Sequence, residues 1–309
     1  MQLRILLTGS SGMVGRNILE RAELRGWSLV SPPHADLDLL RFDDVLRYFK
    51  AAKPDLVIHS AGRVGGIQAN VAAPVDFLVT NLDLGRNVIL ASRAAGVPRL
   101  INLGSSCMYP RNGQNPLHEE QVLQGELEPT NEGYALAKIF AARLCRYIHQ
   151  EDSRFHYKTL IPCNLYGRHD KFAPEHSHLV PAIIHKVHSA KAEGKDTVEI
   201  WGDGTARREF MFASDLADAV LRAVDQYETL PDLMNVGLGT DYSINDYYAV
   251  VAEIVGWRGR FVHDLSRPVG MKQKLVSIDR QVAWGWRSAT SLRSGIEQTY
   301  EFYLKEYLK

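Results

Sequence analysis

Short apolar runs alternate with longer segments of helical spacing through most of the chain. The apolar runs predict strands at 3–8, 28–31, 55–60, 99–104 and 158–163, and the segments between them predict helices near 13–25, 42–52, 74–95 and 134–150. Such alternation is typical of βαβ units. We therefore predict an α/β fold built around a parallel sheet.

Beyond Tyr166 the pattern is looser. Short helical and strand pieces are predicted at 178–192, 197–201, 208–212 and 258–263, followed or interrupted by helices at 214–226 and 244–255 and a strand at 233–236. Ser243 and Asp246 have the spacing of a helix N-cap with an acid at N3. Since no linker rich in Pro, Gly or Ser separates the parts, we predict a larger domain of residues 1–166 with returns near 213–240. The remaining segments of 167–309 form a smaller domain.

A glycine-spaced loop follows the first predicted strand. Gly9, Gly12 and Gly15 come directly after Ile5-Leu6-Leu7 and open a segment of helical spacing. Backbone N–H groups at such a helix N-terminus bind a pyrophosphate. The spacing differs from G-x-G-x-x-G, so an ordinary tight turn into a helix is the alternative.

Tyr134 and Lys138 lie four residues apart in a predicted helix and therefore share one face. A nearby ammonium lowers the pKa of a phenol from about 10, so the pair predicts a proton relay at neutral pH. An isolated pair of this kind is more often a half-buried tyrosine beside a solvated lysine. The glycine loop and Gly104-Ser105-Ser106-Cys107 both follow strand ends, where open α/β sheets bind ligands. Together these motifs predict hydride chemistry with a nicotinamide dinucleotide.

Charge and cysteine content exclude several other classes. The 309 residues include 36 Lys and Arg and 36 Asp and Glu, without a basic tract, which argues against a nucleic-acid or membrane-surface partner. Cys107, Cys145 and Cys163 are too scattered for a disulfide framework or a zinc site, so we expect no metal. The first residues lack a signal peptide's apolar run, and no apolar stretch reaches about 18 residues. We expect a cytoplasmic protein without a membrane partner.

Several segments carry a family resemblance that runs from about residue 4 to 300. They are Gly-Ser-Ser-Gly-Met-Val-Gly at 9–15, Gly-Gly-Ile at 65–67, Leu-Gly-Ser-Ser-Cys-Met-Tyr-Pro at 103–110, Leu-Glu-Pro-Thr-Asn-Glu-Gly-Tyr-Ala-Leu-Ala-Lys at 127–138, Asn-Leu-Tyr-Gly at 164–167, Ser-His-Leu-Val-Pro-Ala at 177–182 and Arg-Arg-Glu-Phe at 207–210. Together they resemble the GDP-L-fucose synthases. These are extended short-chain dehydrogenases/reductases that epimerise and reduce GDP-4-keto-6-deoxymannose.

The resemblance implies the architecture and the partners. The fold would be a Rossmann-type doubly wound parallel sheet, with the larger domain binding the dinucleotide and a smaller α/β domain binding the nucleotide sugar. The implied cofactor is NADP(H), with NAD as the alternative, and the substrate is a GDP-sugar. The family also implies a homodimer in which helices 74–95 and 134–150 pack against their twins.

The resemblance further implies five catalytic residues. Tyr134 would protonate the C4 oxygen as hydride arrives, Lys138 would hold the nicotinamide ribose, and Ser105 would hydrogen-bond the same oxygen. Cys107 and His178 would form the acid–base pair for C3 and C5, and thiols and imidazoles ordinarily have pKa values of about 8.5 and 6.5. Taken alone, each of these two is more often structural: a buried small apolar residue or a helix-start histidine.

The remaining implied residues bind the cofactor and the substrate. The cofactor set is Gly9, Ser11, Gly12, Met13, Val14, Gly15, Asp38, Leu39, Ala61, Gly62, Asn81 and Lys138, and the substrate set is Asn164, Lys186, Trp201, Arg208 and Lys274. The basic residues and the tryptophan of the substrate set would, singly, more often be a surface charge or a core aromatic. Cys145 and Cys163 fit structural positions, one within a predicted helix and one in a strand.

Departures from the family pattern affect both ends of the site. Ser11 stands where NADP-dependent members often have an arginine, which leaves Arg16 and His34 as candidates for a 2′-phosphate. The substrate loop reads Pro268-Val269-Gly270 instead of Pro-Asp-Gly, and Gln273 stands where a basic residue is expected. The alternative substrate is therefore another GDP-4-keto sugar, such as a colitose or heptose precursor.

A third departure is Arg63, which replaces the usual lysine before Val-Gly-Gly-Ile and which nothing in the sequence explains. A non-catalytic dinucleotide-binding scaffold usually loses the tyrosine or the lysine of the Tyr-x-x-x-Lys motif. Because Tyr134 and Lys138 are both present, the sequence favours an enzyme.

Overall fold

The computed structural model describes residues 3–173, 177–267 and 270–308, so Pro268 and Val269 of the altered loop lie outside the described residues. Its strands are β1 Ile5–Thr8, β2 Leu56–His59, β3 Arg99–Leu103, β4 His156–Pro162, β5 Asn164–Tyr166, β6 Thr197–Trp201, β7 Arg207–Arg208, β8 Phe210–Phe212, β9 Leu233–Val236, β10 Tyr242–Ser243, β11 Arg260–Asp264 and β12 Gln273–Lys274. Its helices are α1 Met13–Leu24, α2 Phe42–Ala52, α3 Ile67–Ala72, α4 Pro74–Ala94, α5 Glu132–Glu151, α6 Leu179–Ala192, α7 Ala213–Asp225, α8 Ile244–Val255, α9 Asp279–Ala283 and α10 Leu292–Phe302, which continues as a π-helical turn, Tyr303–Tyr307.

The central sheet has the strand order β1-β2-β3-β4-β9, and every neighbouring pair is parallel. On the other side of β1, Val30 bridges to Leu6, and its N–H donates to the Ile5 carbonyl at 2.8 Å. The chain therefore runs from β1 to one neighbour and returns on the other side as β2. This reversal makes the carboxyl end of β1 a topological switch point, where α/β sheets bind ligands.

The strand predicted at 28–31 is wrong as a full strand, because only Val30 forms a bridge. Pro32 and Pro33 follow it directly, and a proline has no N–H with which to continue a ladder. Val30 is also exposed. The segment therefore ends as a single bridge at the edge of the sheet.

Alternate residues of the central strands face two different helical layers. Leu7 belongs to a core that includes residues of α1 and α7, such as Ile18 and Leu216. Leu6, its neighbour on β1, packs in a core with residues of α2, α4 and α5, including Phe49. Strands buried on both faces are typical of parallel sheets covered by helices on each side. The predicted fold class, a Rossmann-type doubly wound parallel sheet, is confirmed.

A third core lies away from the central sheet. It contains Val180 and Ile184 of α6, Tyr247 of α8 and Ile296 of α10. Beside it β6 and β11 form a parallel pair, and β7 pairs with β10 and β12. The boundaries of the two predicted domains stay a prediction. No helix in the described part of the chain is both long and apolar enough to cross a membrane.

The predicted helices of the first half begin and end within two residues of α1, α2, α4 and α5. The N-cap prediction at the start of α8 is confirmed, since the Ser243 hydroxyl accepts from the Asp246 N–H and the Asp246 carboxylate accepts from the Ser243 N–H. Helices α3, α9 and α10 were not predicted. Two of these are only six and five residues long, too short for helical periodicity to show.

Aromatic side chains of the C-terminal segment pack against α6. The Tyr303 and Tyr300 hydroxyls lie 2.9 Å from Nδ1 of His185 and His188, respectively. Tyr300 and Tyr303 stack with their rings 6.2 Å apart. The C-terminal segment therefore holds one face of α6, the helix for which His178 is the N-cap.

Candidate active site

The glycine loop after β1 is packed too tightly for side chains at two of its glycines. A Cβ on Gly9, which has φ +77°, would lie 2.6 Å from the Cα of Ala61. A Cβ on Gly15 would lie 2.1 Å from the Gly9 carbonyl oxygen. The loop thus folds back on itself and against the chain that follows β2. Glycine is required at both positions for steric reasons.

The same loop leaves the N-terminus of α1 without a side-chain cap, because the N-cap is Gly12. Ser11 and Gly12 are exposed, and Met13 and Val14 form the first turn of the helix. An uncapped helix N-terminus at the switch point of a parallel sheet fits a pyrophosphate, since its N–H groups and its dipole favour an anion. These residues fit the predicted dinucleotide.

The loop that follows β2 lies between the glycine loop and α5. Asn81 fixes it: Nδ2 donates to the carbonyls of Arg63 and Phe77 at 3.0 and 2.7 Å, and Oδ1 accepts from the Arg63 N–H at 2.9 Å. A Cβ on Gly62 would lie 3.7 Å from the Lys138 Nζ. The Asn81 side chain therefore holds the predicted cofactor loop by hydrogen bonds to the backbone of that loop.

Asp38 and Leu39, predicted at the adenine, lie in the segment that precedes α2. The Asp38 carboxylate accepts from the Leu40 N–H at 3.0 Å. The Leu39 carbonyl accepts from Asn87 on α4 at 3.0 Å. His34 lies 4.0 Å from the same Asp38 carboxylate and is highly exposed. This segment is therefore tied to α4, with an exposed imidazole next to it.

Ser105, Tyr134 and Lys138 come together where β3 ends and α5 begins. The Ser105 hydroxyl lies close enough to the Tyr134 phenol to influence its pKa. The Lys138 Nζ lies 5.8 Å from the centroid of the Tyr134 ring and donates to the Leu103 carbonyl at 2.9 Å. The structure thus places a serine hydroxyl, a phenol and a lysine ammonium in one cluster.

The expected lowering of the tyrosine pKa is wrong in this geometry. Burial and the neighbouring Cys107 raise the pKa of Tyr134 above its ordinary value, and the nearby Ser105 hydroxyl only partly opposes this. Burial also lowers the pKa of Lys138 to about 8. The buried phenol therefore keeps its proton at neutral pH. Such a phenol is suited to donate a proton.

Cys107 lies in the 3₁₀ turn Ser106–Met108, next to this cluster. Its N–H donates to the Ser105 Oγ at 3.2 Å. The Cys107 Sγ accepts from the Asn131 Nδ2 at 3.1 Å and from the Lys274 Nζ at 3.5 Å. Lys274, predicted only as a substrate-binding residue, is therefore also a neighbour of the sulfur. The sulfur is therefore held by two donors from two different parts of the chain.

His178 is the N-cap residue of α6 and is partly buried. Burial lowers the pKa of His178, and the positive charge of Lys171 lowers it further. A Cβ on Gly66 would lie 3.0 Å from the Ser177 carbonyl oxygen, so the Gly-Gly-Ile loop touches the segment that carries the imidazole. His178 is thus a neutral imidazole at pH 7, joined to the β2 side of the site by a backbone contact.

Lys186 and Trp201, predicted at the substrate, meet at Glu199 on β6. The Lys186 ammonium donates to the Glu199 carbonyl, and burial lowers the pKa of Lys186. The Trp201 Nε1 donates to the Glu199 carboxylate at 3.0 Å. The Arg267 guanidinium lies over the Trp201 ring, 5.1 Å from its centroid. This part of the surface combines two cations with an exposed indole.

Arg208 and Lys274 are direct neighbours on the paired strands β7 and β12. Burial lowers the pKa of the Arg208 guanidinium, one of whose nitrogens donates to the Arg207 carbonyl at 2.8 Å. Asn164 on β5 donates to the Glu209 carbonyl at 3.0 Å. The register of these short strands therefore brings three of the predicted substrate residues to one region.

A cavity of about 170 Å³ lies beside Tyr134. Its lining residues are Asn70, Val71, Pro74, Phe77, Pro129, Thr130, Asn131, Glu132, Gly133 and Tyr134. Sequence reasoning missed Asn70 and Asn131, although the latter lies three residues before Tyr134 in the family motif. Within the described ranges no group of three or more His, Cys, Asp or Glu residues could hold a metal ion.

Comparison with known proteins gives the chain a family. A model of the NAD dependent epimerase/dehydratase family matches residues 5–237. A GDP-L-colitose synthase from Yersinia pseudotuberculosis is 50% identical over 304 residues, which cover 98% of this chain and 99% of the relative. A GDP-L-fucose synthase from Azorhizobium caulinodans is 50% identical over 301 residues, covering 97% of this chain and 96% of the relative.

A solved structure shares the fold of this chain over nearly the full length of both. It is a GDP-mannoheptose C4 reductase from Campylobacter jejuni with NADP bound, 34% identical, with a TM-score of 0.89 and coverage of 98% of this chain and 99% of that one. The glycine loop at the switch point, the Ser-Tyr-Lys cluster and these similarities lead to one conclusion. The chain belongs to the NAD dependent epimerase/dehydratase family and is of the extended short-chain dehydrogenase/reductase type.

Proposed function

We propose that this protein catalyses the NADP(H)-dependent 3,5-epimerisation and 4-keto reduction of GDP-4-keto-6-deoxy-D-mannose to GDP-L-fucose. One observation carries the proposal: a protonated phenol, a serine hydroxyl and a cysteine sulfur lie in a single cluster, at Tyr134, Ser105 and Cys107. A reductase needs the first two and an epimerase needs an acid–base group such as the third. The relatives named for GDP-L-fucose and GDP-L-colitose synthesis support the substrate class.

The unit around the central sheet would bind the dinucleotide, and the unit around α6, α8 and α10 would bind the GDP-sugar. The glycine loop and the uncapped start of α1 would hold the pyrophosphate, and Lys138 and the loop after β2 would hold the nicotinamide end. When bound, the cofactor supplies a hydride. The Campylobacter neighbour with NADP bound supports this cofactor.

In the reductive half, Tyr134 donates its proton to the C4 oxygen and Ser105 donates a hydrogen bond to the same oxygen. The raised pKa of Tyr134 suits this role, because the phenol is fully protonated before the step. Lys138, with its pKa lowered to about 8, lies close enough to stabilise the phenolate that remains. The cluster thus neutralises charge on the oxygen at the moment it develops.

In the epimerising half, the C4 keto group acidifies the protons at C3 and C5. Inverting a centre requires a base on one face of the ring and an acid on the other. We assign these roles to His178 and Cys107: the His178 imidazole, neutral at pH 7, would take the proton from the carbon, and the Cys107 thiol would deliver a proton to the opposite face. Each inversion therefore leaves His178 protonated and Cys107 deprotonated, and proton exchange with solvent restores both groups.

The GDP end of the substrate would lie along the cations of the smaller unit. Lys186 and Arg208 carry positive charge near β6 and β7, which suits a diphosphate. Trp201 presents a partly exposed indole to the same surface, and Asn164 reaches the region from β5. Lys274 lies between this surface and Cys107.

The second candidate is another GDP-4-keto sugar with the same chemistry or with C4 reduction alone. A GDP-L-colitose synthase matches this chain at the same 50% identity as a GDP-L-fucose synthase, and a heptose reductase shares its fold. The presence of both Cys107 and His178 favours epimerisation before reduction.

The test is incubation with NADPH and each candidate GDP-4-keto sugar, with loss of absorbance and the product's C3 and C5 configuration as readouts. In D₂O without reduction, the wild type should place deuterium at C3 and C5, whereas a Cys107→Ser, His178→Gln double variant should not. That variant should still reduce C4 in a substrate already epimerised. Full exchange in the double variant would exclude these residues as the acid–base pair.

We further propose a homodimer in the cytoplasm, formed by α4 and α5 with their twins. Both helices expose large apolar side chains, namely Val75, Val79, Leu136 and Tyr147, whose exposed fractions are 69%, 48%, 42% and 52%. Such a row on adjacent helices is typical of an interaction face. Light scattering at micromolar concentration should give a dimer mass, and a monomer in both the wild type and Val79→Lys would contradict the proposal.

NADPH should be preferred over NADH by less than about a hundredfold, because a surface-accessible charge-assisted contact is worth roughly 1.5–3 kcal/mol. The candidates are Arg16, whose guanidinium lies 3.5 Å from His169, and the exposed His34. Comparing kcat/KM for both cofactors in the wild type and in Arg16→Ala measures this preference. A strong preference for NADH would show that the assigned contacts are wrong.

A further inference from the structure

Asn131 connects Cys107 with the cavity beside Tyr134. Its Nδ2 donates to the Cys107 Sγ at 3.1 Å, and the residue lines the cavity. Its Oδ1 is buried and has no hydrogen-bond partner among the described residues. A buried acceptor without a partner is costly unless a ligand or a water molecule donates to it. One end of this amide is therefore used by the sulfur, and the other end lacks a donor.

A second amide in the same lining repeats the arrangement. The Asn70 Nδ2 donates to the carbonyls of Gly65 and Gly66 at 2.9 and 3.0 Å, which fixes the amide orientation because carbonyls only accept. Its Oδ1 is likewise buried without a partner in the part of the chain that the structure describes. Two residues that line one small cavity thus each have a buried acceptor oxygen without a donor. Hydroxyl groups are the donors that a sugar ring supplies.

We propose that Asn131 is a positioning residue that holds the Cys107 sulfur through Nδ2 and accepts a hydroxyl of the bound sugar through Oδ1. This inference rests on the proposed function, in which Cys107 exchanges protons with the sugar. The charged or titratable groups that act on Cys107 are Lys274 from β12 and Tyr134 and Lys138 from α5. Asn131 differs from all three because its amide does not titrate. It offers the sulfur the same donor at every pH.

The contact with sulfur is tested without substrate or cofactor. Iodoacetamide labelling of Cys107 is followed by peptide mass spectrometry, with the buried Cys145 and Cys163 as internal references. Asn131→Leu should label about fivefold more slowly than the wild type at pH 7.5 and equally fast at pH 10, because loss of a donor to a thiolate reduces the thiolate fraction only below full ionisation. Thr130→Val is the matched control, since Thr130 lines the same cavity but its hydroxyl donates to Glu128.

Two results would overturn the contact: labelling of Asn131→Leu equal to the wild type at both pH values, or labelling slowed equally at both, which would indicate access and not ionisation. The acceptor role is tested by Asn131→Asp, which keeps an oxygen but replaces the NH₂ group. Its KM for the GDP-sugar should stay within about threefold while C3 and C5 exchange slows at least about tenfold, whereas Asn131→Leu should raise KM as well.

Equal KM values in the two variants would contradict the acceptor role. The proposed function has a separate outcome. If the wild type neither exchanges nor reduces any GDP-4-keto sugar, that function is wrong, while the labelling result still decides whether Asn131 acts on Cys107.

Discussion

The two halves of the candidate site are shaped by opposite means. On the proposed cofactor side the fit depends on missing side chains, since a Cβ at Gly9 or Gly15 would meet backbone atoms. On the proposed substrate side it depends on long side chains, such as Lys186 and Arg208, that bond backbone carbonyls. Packed backbone has little room to adjust, whereas a long side chain can be shortened without moving the backbone that carries it. Substitutions on the cofactor side should therefore abolish binding, and substitutions on the substrate side should weaken it gradually.

The largest effect is expected at Gly15. In Gly15→Ala the new Cβ would lie 2.1 Å from the Gly9 carbonyl oxygen, so the loop must open, at a cost of about 1–3 kcal/mol of stability. We expect a lower Tm and loss of NADPH binding. Gly12→Ala is the control for stability, because its Cβ would meet nothing closer than 3.5 Å and its Tm should be unchanged. Normal NADPH binding by Gly15→Ala would show that the cofactor side does not depend on the missing side chain.

The next largest effect is expected at Tyr134, where the two halves meet. Tyr134→Phe removes the proton donor next to Ser105 but keeps the ring. Reduction should slow at least about 10²-fold, while NADPH affinity changes by less than about threefold. Single-turnover reduction and a fluorescence titration measure the two quantities. Near-normal turnover would show that another group supplies the proton.

The titration of Lys138 should set the pH above which the rate of reduction falls. Its pKa is lowered to about 8 by burial, so the ammonium is present below that pH and is lost as the pH rises through it. We expect kcat/KM for reduction to fall about tenfold per pH unit above pH 8, since kcat/KM reports the free enzyme. In Lys138→Arg, whatever its absolute rate, this alkaline fall should be missing because arginine keeps its charge. A wild-type profile that is flat to pH 10 would contradict this assignment.

The smallest effect is expected at Lys186, on the substrate side. Lys186→Met keeps the aliphatic stem and removes an ammonium that is only partly buried, so KM for the GDP-sugar should rise about three- to tenfold with kcat nearly unchanged. Lys191→Met is the matched control on the same helix, because that ammonium donates to the Val255 carbonyl at the end of α8. Equal KM values in the two variants would show that Lys186 does not bind the diphosphate.

The sequence predicted best what depends on long, regular patterns. The helices α1, α2, α4 and α5 and the parallel strands between them follow from apolar spacing, because each buries one stripe or two faces against the sheet. The strand at 28–31 was wrong because its pairing ends at two prolines. Two-residue strands such as β7 and β12 are too short to show an alternation of apolar and polar residues, so their register could not be predicted.

Within the site, residue types were easier to predict than their electrostatics. The sequence placed Tyr134 and Lys138 on one helix face, but it did not show that the ammonium would turn to the Leu103 carbonyl. That contact depends on where β3 ends relative to α5, which is a tertiary property. Asn131 was missed for a similar reason, since its contact with Cys107 joins two turns separated by 24 residues. Periodicity carries no information about such contacts.

The C-terminal tyrosines that pack on α6 support the site without contributing a proposed catalytic residue. All five proposed catalytic residues lie before residue 179, so a chain cut after α8 would contain every reacting group. That chain would lack Tyr300 and Tyr303, the partners of His188 and His185 on α6. The helix that positions His178 would then have one face open to water. A shortened or fused form of this enzyme should therefore keep the C-terminal segment, because that segment supports the helix next to His178.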